Sequence, residues 1–296
     1  MIHRTLVALV LVLSALAAHP QDFQPLYDRV DPGLQNRLTE RLNSNREWAR
    51  LIRQRRMAVC VVDMSSEPPR FARVNGNHMM YAASLPKIAI LLGAYAAFAD
   101  GSLDNTDAIQ TDLTDMIRVS SNSAATRLID AVGMKKIQDV LRDPKFGFYD
   151  ESRGGGLWVG KRYASSGPRV GDPIHNISHG ATATQVCRFF YLLANERLID
   201  PQSSREMLEH LSDPRLHHKF VSQLDERAPR ARLFRKSGTW RDYHSDAIMV
   251  RGTRWRNYIL VALVQSQQGE SVIRQVLPAV EEVIVPAEFA EGSDDF

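Results

Sequence analysis

Strand-forming runs lie at the two ends of this chain while helical patterns fill its middle, and that distribution limits the fold more than any other feature. Near the N-terminus MAVCVVDM (57–64) is short, apolar and rich in β-branched residues, and RFARVNGNHMMYA (70–82) carries a turn signal at Asn75-Gly76. The pair reads as strand, turn, strand. Toward the C-terminus RLFRKSGTW (232–240), HSDAIMVRG (244–252) and NYILVALVQS (257–266) are three more such runs separated by turns. The economical solution is one antiparallel sheet assembled from both ends, flanked by terminal helices, with an all-helical subdomain inserted: an α/β chain of the α+β kind. The expected boundaries are 22–80 with 200–296 for the sheet subdomain and 81–199 for the helical one.

Helical spacing supports the inserted part. GLQNRLTERLNSNREWARLIR (33–53) repeats apolar residues at helical spacing before the first strand. YAASLPKIAILLGAY (81–95) opens a helix at Ser84 that runs to about Phe98 and stops at Asp100-Gly101. TDLTDMIRVSS, NSAATRLIDAVG and MKKIQDVLRD continue the helical pattern, and TATQVCRFFYLLANERL (182–198), SSREMLEHL (203–211) and a last helix over 269–285 complete it. Residues 146–180 break it with seven glycines before Gly180 and two prolines, which predicts a long loop. A loop of that length in a compact domain usually serves function.

The bulk numbers exclude several classes of protein. A net charge of +3 on a chain with 37 Lys and Arg against 34 Asp and Glu gives no basis for binding nucleic acid or an anionic membrane. MIHR followed by LVALVLVLSALAA is too short to span a bilayer. A basic start, an apolar core and small residues at Ala15 and Ala17 predict a signal peptide over 1–17, hence a periplasmic or secreted protein with no membrane anchor after cleavage. Cys60 and Cys187 both lie inside apolar runs and read as buried free thiols.

The chemistry begins with Ser84 and Lys87. Residues three apart share a helix face, so a hydroxyl and an ammonium can meet there. Pro86 is tolerated only in a first turn, which puts Ser84 at the helix start, where free N–H groups favour a developing oxyanion. A serine hydroxyl needs a base, and a lysine can be that base if burial lowers its pKa. On its own Ser-x-x-Lys arises about once by chance in a chain this long. Two further clusters change that weighting. Ser120-Ser121-Asn122 opens an apolar helical pattern and doubles as a helix-cap sequence. Lys236-Ser237-Gly238 ends a predicted strand, where a glycine bulge is the plainer explanation.

Together, in this order and on these elements, the three motifs match a known signature. The chain resembles the serine β-lactamase and penicillin-binding superfamily, most closely its class A branch, over most of the length beyond the leader. The resemblance implies a class A β-lactamase or transpeptidase-like fold and no cofactor or metal. It implies that Ser84 is acylated, with Lys87 accepting its proton. It implies that Ser120 relays a proton to the leaving nitrogen while Lys236 keeps the site positive, and that Asn122 binds the substrate's amide. The backbone N–H groups of Ser84 and Thr239 would form the oxyanion hole, and Ser237, Gly238, Thr239 and Arg241 would hold the substrate and its carboxylate. Hydrolysis of β-lactam amides is the leading activity, acting on a small β-lactam or a peptidoglycan stem peptide as a monomer. A D-alanyl-D-alanine peptidase and a non-turnover acyl-trapping sensor are the alternatives.

One part of the class A pattern is missing. Those enzymes free the acyl group with a water activated by a glutamate in a Glu-x-x-Leu-Asn loop, and residues 146–180 contain no such string. Glu151, next to Asp150, is the candidate replacement. Ser121 stands where class A usually has Asp. GGLWVGKR (155–162) approaches a phosphate-binding loop, but Arg162 occupies the place of the magnesium-binding hydroxyl. His175 and His179 have zinc-pair spacing, without a third ligand nearby in a loop of Pro and Gly.

Overall fold

The run NYILVALVQ (257–265) is apolar almost throughout because both faces of its sheet are covered. The computed structural model describes residues 23–290, so the expected leader lies outside the described residues. Strands β1 (Met57–Asp63) and β2 (Arg70–Val74) come from the N-terminal side. A two-residue β3 (Met80–Tyr81) follows, and then helices α3 (Lys87–Ala99), α4 (Asp107–Arg118), α5 (Asn122–Val132) and α6 (Met134–Arg142). The helices preceding β1 are α1 (Pro32–Asn43) and α2 (Arg46–Arg53). The single helix expected over 33–53 is two, because Asn45 caps the second through the Glu47 and Trp48 N–H groups.

Residues 149–181 hold four short strands: β4 (Tyr149–Asp150), β5 (Gly155–Gly156), β6 (Trp158–Val159) and β7 (His179–Ala181). Then come α7 (Ala183–Ala194), α8 (Pro201–Leu211), α9 (Phe220–Arg227), β8 (Arg232–Trp240), β9 (Tyr243–Arg251), β10 (Asn257–Gln265) and α10 (Gly269–Ile284). The five-stranded antiparallel sheet runs β2-β1-β10-β9-β8, so both chain ends build it and β8 is an edge.

Alternation along the strands sorts side chains into two cores. From β1, Met57, Val59 and Val61 join α1, α9 and α10 on one face, while Ala58, Cys60 and Val62 join α3 and α7 on the other. Cys60 and Cys187 are free thiols buried on this second face. The segment expected to be a long loop is instead tied down by pairing too brief to leave a periodicity: β4 pairs with β5, and β7 pairs with both β6 and β3. Because β7 reaches β3, it stands beside the turn that carries Ser84. Among the described residues no helix is long and apolar enough to cross a membrane.

Candidate active site

The turn after β3 is pinned from three sides. The Ala82 N–H donates to the His179 carbonyl at 2.8 Å, its carbonyl accepts from the Ser245 hydroxyl at 2.8 Å, and the Tyr163 hydroxyl donates to the Ala83 carbonyl at 3.1 Å. Ala83 has φ +51°, a left-handed conformation costly for a residue with a Cβ. The regular helix therefore begins at Lys87, with Pro86 as its N-cap, and Ser84 lies in the tight turn before it instead of in the first helical turn. No protein acceptor takes the Ser84 N–H among the described residues.

Lys87 is completely buried at the start of α3. Its ammonium donates to the Ser120 carbonyl at 2.7 Å and to Asn122 Oδ1 at 2.8 Å, with Ser120 Oγ at 3.4 Å. The Tyr163 ring lies 4.5 Å from it. Burial lowers its pKa to about 7. No hydrogen bond joins Lys87 to the Ser84 hydroxyl among the described residues; such contacts often tighten only with substrate in place.

Ser120 sits between α4 and α5 with φ +59°. Ser121, not Ser120, caps α5, accepting from the Ala124 N–H at 3.2 Å. The strained serine is thereby left to meet the second lysine: Lys236 Nζ donates to Ser120 Oγ at 2.9 Å and to the Ser237 carbonyl at 2.7 Å. Lys236 is buried, and burial together with the charge of Lys87 holds its pKa well below the usual lysine value. Two lysines from opposite ends of the chain thus converge on one hydroxyl.

Gly238 explains how β8 comes so close. A Cβ there would lie 2.3 Å from the Ala82 carbonyl oxygen, 2.6 Å from the Ser84 nitrogen and 2.7 Å from Ser245 Oγ. Beneath the strand lies a residue that the sequence reading passed over. Lys219 is fully buried, with φ +55°, and donates to the Gly238 carbonyl at 2.6 Å, Thr239 Oγ1 at 2.8 Å and the Ser245 carbonyl at 3.1 Å. Burial lowers its pKa to about 8, opposed by Asp246. Asp246 also pairs with buried Arg235, Nε to Oδ1 at 2.7 Å, and Arg235 donates to the Leu216 carbonyl at 2.8 Å, so the Lys219 loop is moored to β8 and β9.

In front of Ser84 opens a cleft of about 740 Å³, lined by Ser84, Asn122, Thr239, Lys161, Tyr163 and His179 among others. His179 is buried and neutral at pH 7, because burial pushes its pKa down to about 4.

The model of the "Beta-lactamase enzyme family" matches residues 108–282, more than half of the chain. The chain belongs to the beta-lactamase enzyme family. None of the curated proteins matches it in sequence. Among solved structures it is similar to a beta-lactamase from Sphaerobacter thermophilus, at 19% identity over 78% of this chain and 92% of that one, TM-score 0.62. It is similar to a beta-lactamase from Xanthomonas campestris, at 14% identity over 85% and 99%, TM-score 0.65. It is also similar to a PBP-A mutant in an acyl-enzyme complex with penicillin G, at 17% identity over 88% and 98%, TM-score 0.63. At these identities the likeness establishes a shared fold, mixed α/β with an antiparallel sheet.

Within this beta-lactamase fold two expected site residues fall elsewhere. Glu151 lies in an exposed turn of 3-10 helix, 3.6 Å from Arg142, and does not line the cleft. Asp150 caps the same turn. Among the described residues no aspartate or glutamate lines the cleft. Arg241 occupies the exposed tip of the β8–β9 hairpin with φ +53°, its guanidinium 5.6 Å from the Trp240 ring, also outside the lining. Sequence could not separate these two from true site residues, since their placement depends on the turns around them.

Proposed function

We propose that this family member is an exported serine acyl-enzyme hydrolase that opens β-lactam amides. The observation that carries the reading is the meeting of Lys87 and Lys236 on Ser120 beside Ser84. With a pKa of about 7, Lys87 is neutral in about half of the molecules at pH 7. A neutral amine has two N–H donors, which the Ser120 carbonyl and Asn122 take, leaving its lone pair for a hydroxyl proton.

Ser84 Oγ then attacks the amide carbonyl carbon while its proton passes to Lys87. The oxyanion is held by the N–H groups of Ser84 and Thr239. The C–N bond breaks as the proton reaches the leaving nitrogen through Ser120 Oγ. Water then attacks the acyl-enzyme with the same amine as its base, since among the described residues no carboxylate lines the cleft. That absence favours a second reading, a D-alanyl-D-alanine peptidase on peptidoglycan stems.

A chromogenic cephalosporin followed by colour and intact mass tests the proposal. Many turnovers per molecule support hydrolysis. A stoichiometric burst with a lasting adduct on Ser84 supports the peptidase. With neither, both readings fail.

A further inference from the structure

The acyl-enzyme reading leaves one wall of the cleft without a role. Lys161, Arg162 and Arg169 all line it, and no carboxylate does. The three cations are not equivalent. Arg162 is neutralised by Asp130, Nε to Oδ1 at 2.6 Å. Arg169 donates to Asn176 Oδ1 at 2.8 Å and to the Asn176 carbonyl, and Lys161 reaches only the Ser165 carbonyl at 3.5 Å. Neither has an acidic partner among the described residues. Two uncompensated positive charges therefore face the cleft.

The wall is also held in place. Lys161 and Arg169 face each other across an antiparallel bridge, and the Val170 N–H donates to the Gly160 carbonyl at 2.6 Å. The Trp158 indole donates to the Val170 carbonyl at 2.9 Å, and His179 Nε2 donates to the Lys161 carbonyl at 3.1 Å. That last bond fixes the His179 tautomer and adds no charge. Arg169 is exposed and Lys161 is half-buried, so their pull on an anion acts partly through solvent and is strongest at low salt. Strand β8 lends Thr239 to the same cleft and on the proposed reaction takes the leaving group, which leaves the charged residues for the acyl side chain.

We propose that the preferred substrate carries a carboxylate on its acyl side chain, received by Lys161 and Arg169. The inference rests on Ser84 acylation and deepens it by naming the substrate class. A β-lactam side chain or a stem-peptide residue could supply the same carboxylate.

The experiment measures Ser84 adduct formation by intact mass with penicillin G and with carbenicillin, which adds a carboxylate to the α-carbon of the phenylacetyl side chain. A second pair, D-alanyl-D-alanine peptides with a free or an amidated side-chain carboxylate, is followed by release of D-alanine. The anionic member should react at least about tenfold faster at about 20 mM salt, and the advantage should shrink at about 500 mM. Preference in the lactam pair alone assigns the wall to lactams; preference in the peptide pair alone assigns it to stem peptides. In Lys161→Gln the ratio should fall toward one, and in Lys161→Glu below one. Each ratio is internal to a variant, so partial unfolding cancels. Equal rates in both pairs for the unmutated protein, or a preference that survives Lys161→Glu combined with Arg169→Gln, overturns the inference while leaving the acyl-enzyme intact. An absence of adduct and of released D-alanine from all four compounds overturns the acyl-enzyme itself.

Discussion

The proposed acylation requires opposite protonation states of Lys87 and Lys219, whose pKa values burial lowers to about 7 and about 8. Lys87 must be a free amine to take the serine proton, so acylation should rise with pH through about 7. Lys219 must be an ammonium to hold the Gly238 and Ser245 carbonyls beneath the oxyanion strand, so acylation should fall as pH passes about 8. A narrow bell results, measurable as the acylation rate against pH. Lys219→Ala should slow acylation by roughly a hundredfold and remove the alkaline limb, while Lys219→Arg should restore part of the rate. An unchanged alkaline limb in Lys219→Ala would assign that limb to another group. Glu151→Gln should leave the deacylation rate unchanged, since Glu151 is exposed and off the cleft. Lys219 was hidden from the sequence reading by its neighbours: in RLHHKF it looks like one more solvated cation. Burial came from a loop whose path depends on Arg235 and Asp246, sixteen and twenty-seven residues downstream of Lys219.

Adjacent serines at the α4–α5 junction divide two jobs. Ser121 caps α5, so Ser121→Ala should cost about 1 kcal/mol of stability, read by urea denaturation, with acylation retained. Ser120 bridges the two lysines, so Ser120→Ala should lose acylation with little change in the denaturation midpoint. Strand β10 was legible because it is a continuous apolar run buried along its length, and β8 and β9 because turn signals frame their shorter apolar stretches. Helix α9 and the two-residue strands were not. Eight residues led by two histidines and a lysine give little pattern, and Gly155-Gly156 gives none. The edge position of β8 adds a further expectation. Gly238→Ala must push the strand away from the Ser84 nitrogen, so acylation should drop by about a hundredfold or more.

For the whole molecule, buried bases set the pH dependence of stability. His179, His210 and His218 are all lowered to about 4 by burial, so between that value and about 6.5 the unfolded chain binds more protons than the native one. Stability should climb with pH across that window. The same sign applies to Lys87 and Lys219, whose unfolded values lie near 10.5, so stability should climb again between about pH 7 and about pH 9.5. Urea midpoints measured across both ranges check this; a midpoint that falls between pH 7 and 9.5 would mean that these amines are solvated.

The pairing of Met57 with Val264 closes a loop of about 200 residues. Such a distant contact is slow to find, and it cannot form until nearly the entire polypeptide has been delivered. On the proposed reaction, reactivity is therefore withheld from any fragment ending before β8, which would hold Ser84 but lack Lys236 and the strand beside it. Competence arrives only once, with the closing stitch.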